Sequence, residues 1–223
     1  MRSELLWSEQ HACHCWQQDL YGRHFTFLDA VHGFVATAHG LIRGHHLLAE
    51  SDWQAWQRCI VDTVLRTATR EDGLATWRVE LIEPPEQPPK KLMQFCHGAP
   101  GFVICLGRWP TTELNELLLA AGEAVWAAGP LTKGANLCHG TGGNGYAFLV
   151  LHTRTGDARW LELARRFAMH AIAQSEADAK LHGQRRYSLW TGDLGLAIYL
   201  HDCITARPAF PTLDQFFAAR ATA

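Results

Sequence analysis

Apolar residues recur along most of this chain at helical spacing, broken by short stretches rich in glycine and proline. Leu5, Leu6, Ala12, Trp16 and Leu20 predict a helix over residues 4–20. Residues 27–36 begin a second apolar stretch that continues through Leu48. Ser51 and Asp52 are N-cap candidates for a helix carrying Trp53, Trp56, Ile60, Val61, Val64 and Leu65. Residues 70–92 break the pattern; Pro84-Pro85 and Pro88-Pro89 exclude helix there, so this reads as the longest irregular connection. An apolar helix through residues 102–106 follows, then Trp109-Pro110-Thr111 as stop and N-cap, a helix over about residues 112–128, and the break Gly129-Pro130. Beyond it come an apolar helix through residues 146–151, an amphipathic helix over about residues 158–176, and an apolar helix ending near Ile204. No segment alternates with period two over a convincing length, so the expected fold is all-α.

Four segments share one pattern: His32-Gly33-Phe34-Val35-Ala36, His97-Gly98-Ala99-Pro100-Gly101, His139-Gly140-Thr141-Gly142-Gly143 and Thr191-Gly192-Asp193-Leu194-Gly195. Each opens an almost wholly apolar helix, and these helices alternate with more amphipathic ones. A helix apolar all round is buried on every side, while an amphipathic one covers it from outside. Helix pairs repeating at roughly 40–65 residues, in inner and outer layers, predict an α/α toroid or solenoid.

Composition narrows the function classes. With 48% apolar and 19% charged residues the chain is globular, and 223 residues suffice for one substantial core. A net charge of −2 gives nucleic-acid binding no electrostatic support. No apolar run approaches the ~20 residues of a membrane span, and the start lacks the apolar core of a secretion signal. Seven cysteines in a pattern unlike a disulfide framework point to a reducing, cytoplasmic setting, with some thiols held as metal ligands.

The chemistry concentrates in two near-copies, Cys96-His97-Gly98 and Cys138-His139-Gly140, each running into an apolar helix. A cysteine just upstream of a helix N-terminus is biased towards thiolate, the form that binds metal. Two such Cys-His pairs offer soft and borderline donors that suit zinc. Buried cysteines and core histidines account for either copy alone, but not for the matched context of both. Cys13-His14-Cys15 also looks like a ligand cluster, but on a helix successive side chains point about 100° apart and cannot converge on one ion.

Together with Gln94-Phe95, Pro100-Gly101, Lys133-Gly134-Ala135-Asn136, Gly143-Asn144-Gly145, Ser188-Leu189-Trp190-Thr191-Gly192 and Arg207-Pro208-Ala209-Phe210-Pro211, these motifs resemble the lanthionine synthetase C-like (LanC-like) family over about residues 20–217. The resemblance implies an α/α toroid and one zinc held by Cys96, Cys138 and His139. Three protein ligands leave a fourth position for a substrate thiol. It further implies addition of that thiol, from glutathione or a peptide cysteine, to dehydroalanine or dehydrobutyrine in a peptide. His32 matches the family's catalytic histidine, a residue type whose pKa suits proton transfer near neutrality. His97 is expected to line the site without binding zinc, and His39 to be structural. Lys133, Arg185 and Arg186 fall in stretches that supply cationic groups for the carboxylates of glutathione, although solvated surface charge accounts for the arginines equally well.

Two departures from the family pattern stand out. Ala36 replaces a glycine of the first motif, and only four of seven helix pairs are counted, beginning near the fourth. The expectation is one partial toroid domain over residues 1–223: a fragment, a chain whose ring a partner completes, or a degenerate scaffold. An incomplete ring would bare the flank around Val31, Phe34, Val35, Leu41 and Ile42, promoting self-association unless residues 4–20, with Trp7 and Trp16, fold across it. The competing function is a non-catalytic, zinc-bearing scaffold that binds glutathione or a peptide. A closed structural site that also uses His97 is the rival geometry. A carbohydrate-active toroid needs paired carboxylates, and Asp29 and Asp193 form no recognisable pair.

Overall fold

Where apolar spacing predicted a helix over residues 4–20, the chain instead makes two antiparallel hairpins. β1 (Leu5–Ser8) pairs with β2 (Cys13–Trp16), and β3 (Gln18–Leu20) with β4 (Arg23–Phe25). The second is closed by Tyr21 and Gly22, both at positive φ, as a two-residue hairpin turn requires. Period two now governs the side chains: Cys13 and Cys15 are fully buried, while His14 lies on the other face of β2 against Trp7. The three residues thus diverge, because of a strand rather than a helix. The computed structural model describes residues 5–82 and 92–214, so both proline pairs of the expected irregular connection lie outside the described residues.

These residues form two compact units, Met1–Ala127 and Ala128–Ala223. In the first, α1 (Phe34–Arg43) and α2 (Glu50–Thr67) are joined through a short 3-10 turn, His45–Leu47. Ala49, not Ser51 or Asp52, is the N-cap of α2; the latter two sit inside its first turn. A third hairpin follows, β5 (Ala68–Glu71) with β6 (Leu74–Trp77), turning on Asp72-Gly73 at positive φ. This corrects the irregular reading at its start, residues 70–77, and qualifies the all-α expectation: among the described residues, the fold is mainly helical, with seven helices accompanied by three two-stranded hairpins. α3 (Ala99–Leu106) is buried at all eight positions, as its uniform apolarity requires, and packs against α1. His39 of α1 is buried there and donates from Nδ1 to the Cys105 carbonyl of α3 at 2.9 Å. α4 (Asn115–Ala128) closes the unit.

The hairpins cover much of the flank that was expected to be bare. Trp16 packs, with tilted rings, against Phe34 and Trp56 at 5.0 and 5.5 Å, and Phe34, Val35 and Ile42 are buried. Val31 and Trp7 remain exposed.

The second unit packs α5 (Thr141–Thr155), α6 (Ala158–His182) and α7 (Asp193–Thr205) on one another. α5 is buried from Thr141 through Leu151. α6 starts on the Asp157 carboxylate, which accepts from the Arg159 N–H at 2.8 Å, and presents Trp160, Leu163, Ala164, Phe167 and Ala171 inward. Its length beyond residue 176 carries it to Gly183, which ends it in the left-handed conformation. Tyr199 ties α7 to α6 by donating to the Ala164 carbonyl at 2.6 Å. Among the described residues, no helix is long and apolar enough to cross a membrane.

Candidate functional site

The four repeated segments share a backbone device. The chain loops back over each helix entrance, so the glycine after His32, His97, His139 or Thr191 lies against the carbonyl of the residue six positions earlier. A Cβ at Gly98, Gly140 or Gly192 would overlap the carbonyl oxygens of Leu92, Gly134 and Arg186, respectively. The loop carbonyls accept the otherwise orphaned first N–H groups of the helices: Phe34 donates to Phe27, Thr141 to Gly134 and Asp193 to Arg186, at 2.9, 2.9 and 2.8 Å. The second glycine of the motif, three residues on, is equally tight at Gly101 and Gly195, where a Cβ would overlap the carbonyls of Phe95 and Leu189. Ala36 is accommodated, half-buried, with its N–H on the Asp29 carbonyl at 3.2 Å.

A second feature sits three residues before each motif residue. Asp29 Oδ1 accepts the His32 N–H at 2.7 Å, Asn136 Oδ1 that of His139 at 3.0 Å, and Ser188 Oγ that of Thr191 at 3.3 Å. At the second motif the backbone does this work, the His97 N–H donating to the Gln94 carbonyl at 3.1 Å. Gln94 uses its side chain otherwise: Nε2 donates to Cys96 Sγ at 2.9 Å. Asp29, Gln94 and Asn136 are loop-shaping positions that periodicity did not single out. Their shared offset from the motif residues was the signal that could have found them.

In the first unit these loops gather His32 and His97 around Phe27, and Cys96 precedes His97 in the chain. The rings of His32 and His97 each lie 6.0 Å from that of Phe27, which itself stacks on Phe25. His32 is exposed, Cys96 is buried, and the His97 side chain is 19% exposed with Nδ1 2.9 Å from Asp29 Oδ2. In the second unit Cys138 and His139 are half-buried ahead of α5, and the Cys138 N–H donates to the Trp190 carbonyl at 2.9 Å. The second unit also holds a cleft of about 570 Å³, lined by residues 132–136 and 191–193 among others. Lys133, Arg185 and Arg186 all line it. Arg185 donates from Nη1 to Ser175 Oγ at 2.9 Å, Ser175 in turn hydrogen-bonds Asp193, and the Arg186 N–H donates to Asp193 Oδ2 at 3.0 Å.

The expected zinc ligands are divided between the units, Cys96 in the first and Cys138 with His139 in the second. Among the described residues of either unit, no three His, Cys, Asp or Glu side chains gather closely enough to hold a metal ion. No disulfide joins any of the seven cysteines. Two thiols and an imidazole, each at the entrance of a buried helix, are nonetheless a donor set that suits zinc.

Buried helices entered through glycine-tight loops, with Cys-His pairs at two of the entrances, define a LanC-like class of helical protein. The chain belongs to that family: the model of the lanthionine synthetase C-like protein matches residues 7–215. It is 34% identical over 132 residues to the zebrafish (Danio rerio) glutathione S-transferase LANCL1, covering 55% of this chain and 31% of that protein. It is also 34% identical over 126 residues to the LanC-like protein GCL1 of Arabidopsis thaliana, covering 53% and 29%. The matched stretches thus span about three-tenths of each relative's length.

Proposed function

We propose that this chain activates a thiol, most directly that of glutathione, for addition to a dehydroalanine or dehydrobutyrine residue in a peptide. In this reading the two units are parts of one LanC-like domain. Cys96, Cys138 and His139 would hold a zinc ion, which when bound supplies a positive charge that keeps the entering thiol deprotonated near neutral pH. The observation that carries the reading is the cleft of the second unit. Its lining sets three cations, Lys133, Arg185 and Arg186, against two carboxylates, Asp178 and Asp193, and this positive excess suits the carboxylates of a small acidic thiol. The wall formed by residues 132–136 leads straight into Cys138 and His139. The glutathione transferase name of the zebrafish relative points the same way.

The chemistry asked of the chain's own residues is positioning and one proton transfer. The sulfur forms a bond to the β-carbon of the dehydroamino acid, the carbon–carbon π bond breaks, and the α-carbon takes a proton. His32, exposed at the entrance of α1, is assigned to deliver that proton. Phe27, 6.0 Å from both the His32 and the His97 ring, provides an apolar surface beside them.

Metal analysis of the purified chain should return one zinc, lost in Cys96→Ala and Cys138→Ala. Incubation with glutathione and a dehydroalanine peptide should give a mass increase equal to one glutathione. Zinc and glutathione binding with no adduct would replace the enzyme by the non-catalytic scaffold. A chain without zinc would remove the assignment of the ligands.

A further inference from the structure

Asp29 is 1% exposed, and its side chain is wholly withdrawn from solvent. A carboxylate so placed is costly unless both oxygens have partners. Oδ1 is accounted for, since it accepts the N–H groups of Val31 and His32 at 2.8 and 2.7 Å and so shapes the loop into α1. That task does not need a charge: Asn136 and Ser188 perform it for His139 and Thr191 with neutral side chains. What the aspartate adds is its second oxygen, and Oδ2 lies 2.9 Å from Nδ1 of His97. The N–H is not aligned on the oxygen, so among the described residues both atoms are buried without a hydrogen bond, facing each other. Buried polar atoms left in this way call for an explanation beyond packing. Hydrogen bonds of this kind are often poorly aligned before a site is filled.

We propose that Asp29 is a positioning residue that binds together the two candidate catalytic histidines of the first unit. One oxygen sets the backbone on which His32 stands. The other holds the proton of His97 on Nδ1, leaving Nε2 as the ring atom offered to the site. An imidazole with one nitrogen held by a carboxylate is fixed in both tautomer and orientation. Gly101 contributes by letting the α3 entrance approach Ala30, whose Cβ a side chain at 101 would displace. The catalytic meaning of this arrangement rests on the thiol-addition reading above, but the hold on His97 does not.

The test separates the two. Long-range proton–nitrogen NMR of the ring, at a pH where His97 is neutral, should show the Nδ1–H tautomer in the unmodified chain; the Nε2–H tautomer would overturn the proposal. Asp29→Asn keeps an oxygen for the Val31 and His32 N–H groups but turns an amide donor towards His97. The tautomer should therefore invert, and kcat for adduct formation should fall about 10- to 100-fold with KM for glutathione unchanged. A folded Asp29→Asn chain with the original tautomer or undiminished kcat would sink the idea. If that variant does not fold, the tautomer in the unmodified chain still decides. If the unmodified chain forms no adduct, the function fails while the hold on His97 is judged by NMR alone.

Discussion

At the scale of single residues, glycines carry most of the local argument. Gly98 combines φ of +99° with a carbonyl where its Cβ would be, so no side chain fits without moving the Leu92 backbone. Gly98→Ala is expected to cost at least about 1–3 kcal/mol from the backbone conformation alone. Gly40, on the exposed face of α1 with open space around it, is the contrasting case. There alanine should stabilise by about 0.5–1 kcal/mol, because it removes backbone freedom from the unfolded chain. Thermal melts of the two variants should shift in opposite directions, and a tolerated Gly98→Ala would contradict the loop geometry. Of the candidate site residues, the Cys-His pairs and His32 stand out in the sequence, because a repeated motif is a local property. The placement of Asp29 against His97 was not, since the two are far apart in the chain and only packing of α1 on α3 unites their loops.

At the scale of elements, burial decided helix extent and short range decided the hairpins. α3 and α5 are buried at every or nearly every turn, as helices apolar on all sides must be. The strands are four residues or fewer, too short for a period of two to be told from one of 3.6. Only turn chemistry could have revealed them, and Asp72-Gly73 is a strong hairpin signal that was present. The third hairpin earns its place through Trp77, which is fully buried, stacks on Phe102 of α3 at 3.9 Å and donates from Nε1 to the Val64 carbonyl of α2 at 3.0 Å. Trp77→Ala should lower stability by about 3–5 kcal/mol in urea unfolding. A loss below about 1 kcal/mol would mean that β6 is not seated on α3.

At the scale of the whole molecule, buried thiols in both units make stability sensitive to alkali. Burial pushes the Cys15 thiol up to about 11, and desolvation likewise raises Cys203 to about 11. Both values exceed the ordinary thiol value of 9.0. The folded chain therefore holds these protons more tightly than the unfolded one. That stability is fully present below about pH 9 and is lost as the pH rises through about 11. Burial of the Tyr146 hydroxyl, which donates to Asp202 at 2.8 Å, raises its pKa too and adds in the same sense. The melting temperature should fall across this window, and less steeply for a Cys15→Ser, Cys203→Ser chain; equal slopes would remove the thiols as the cause.

Sequence by itself determined the family, the helical character, the glycine-gated helix entrances and the two Cys-His pairs as candidates. Each of these is written in nearest neighbours, in periodicity over ten or more residues, or in a motif repeated along the chain. Tertiary structure decided that residues 5–25 are hairpins covering Phe34, because burial of Cys13 and Cys15 on one face of β2, and of Trp16 against Phe34 on the other, outweighed the helical spacing of their apolar neighbours. It also decided that Lys133, Arg185 and Arg186 share one cleft, and that a buried carboxylate meets His97. These are contacts between residues tens of positions apart, which no local pattern encodes; they arise only when the loops at the helix entrances close over one another.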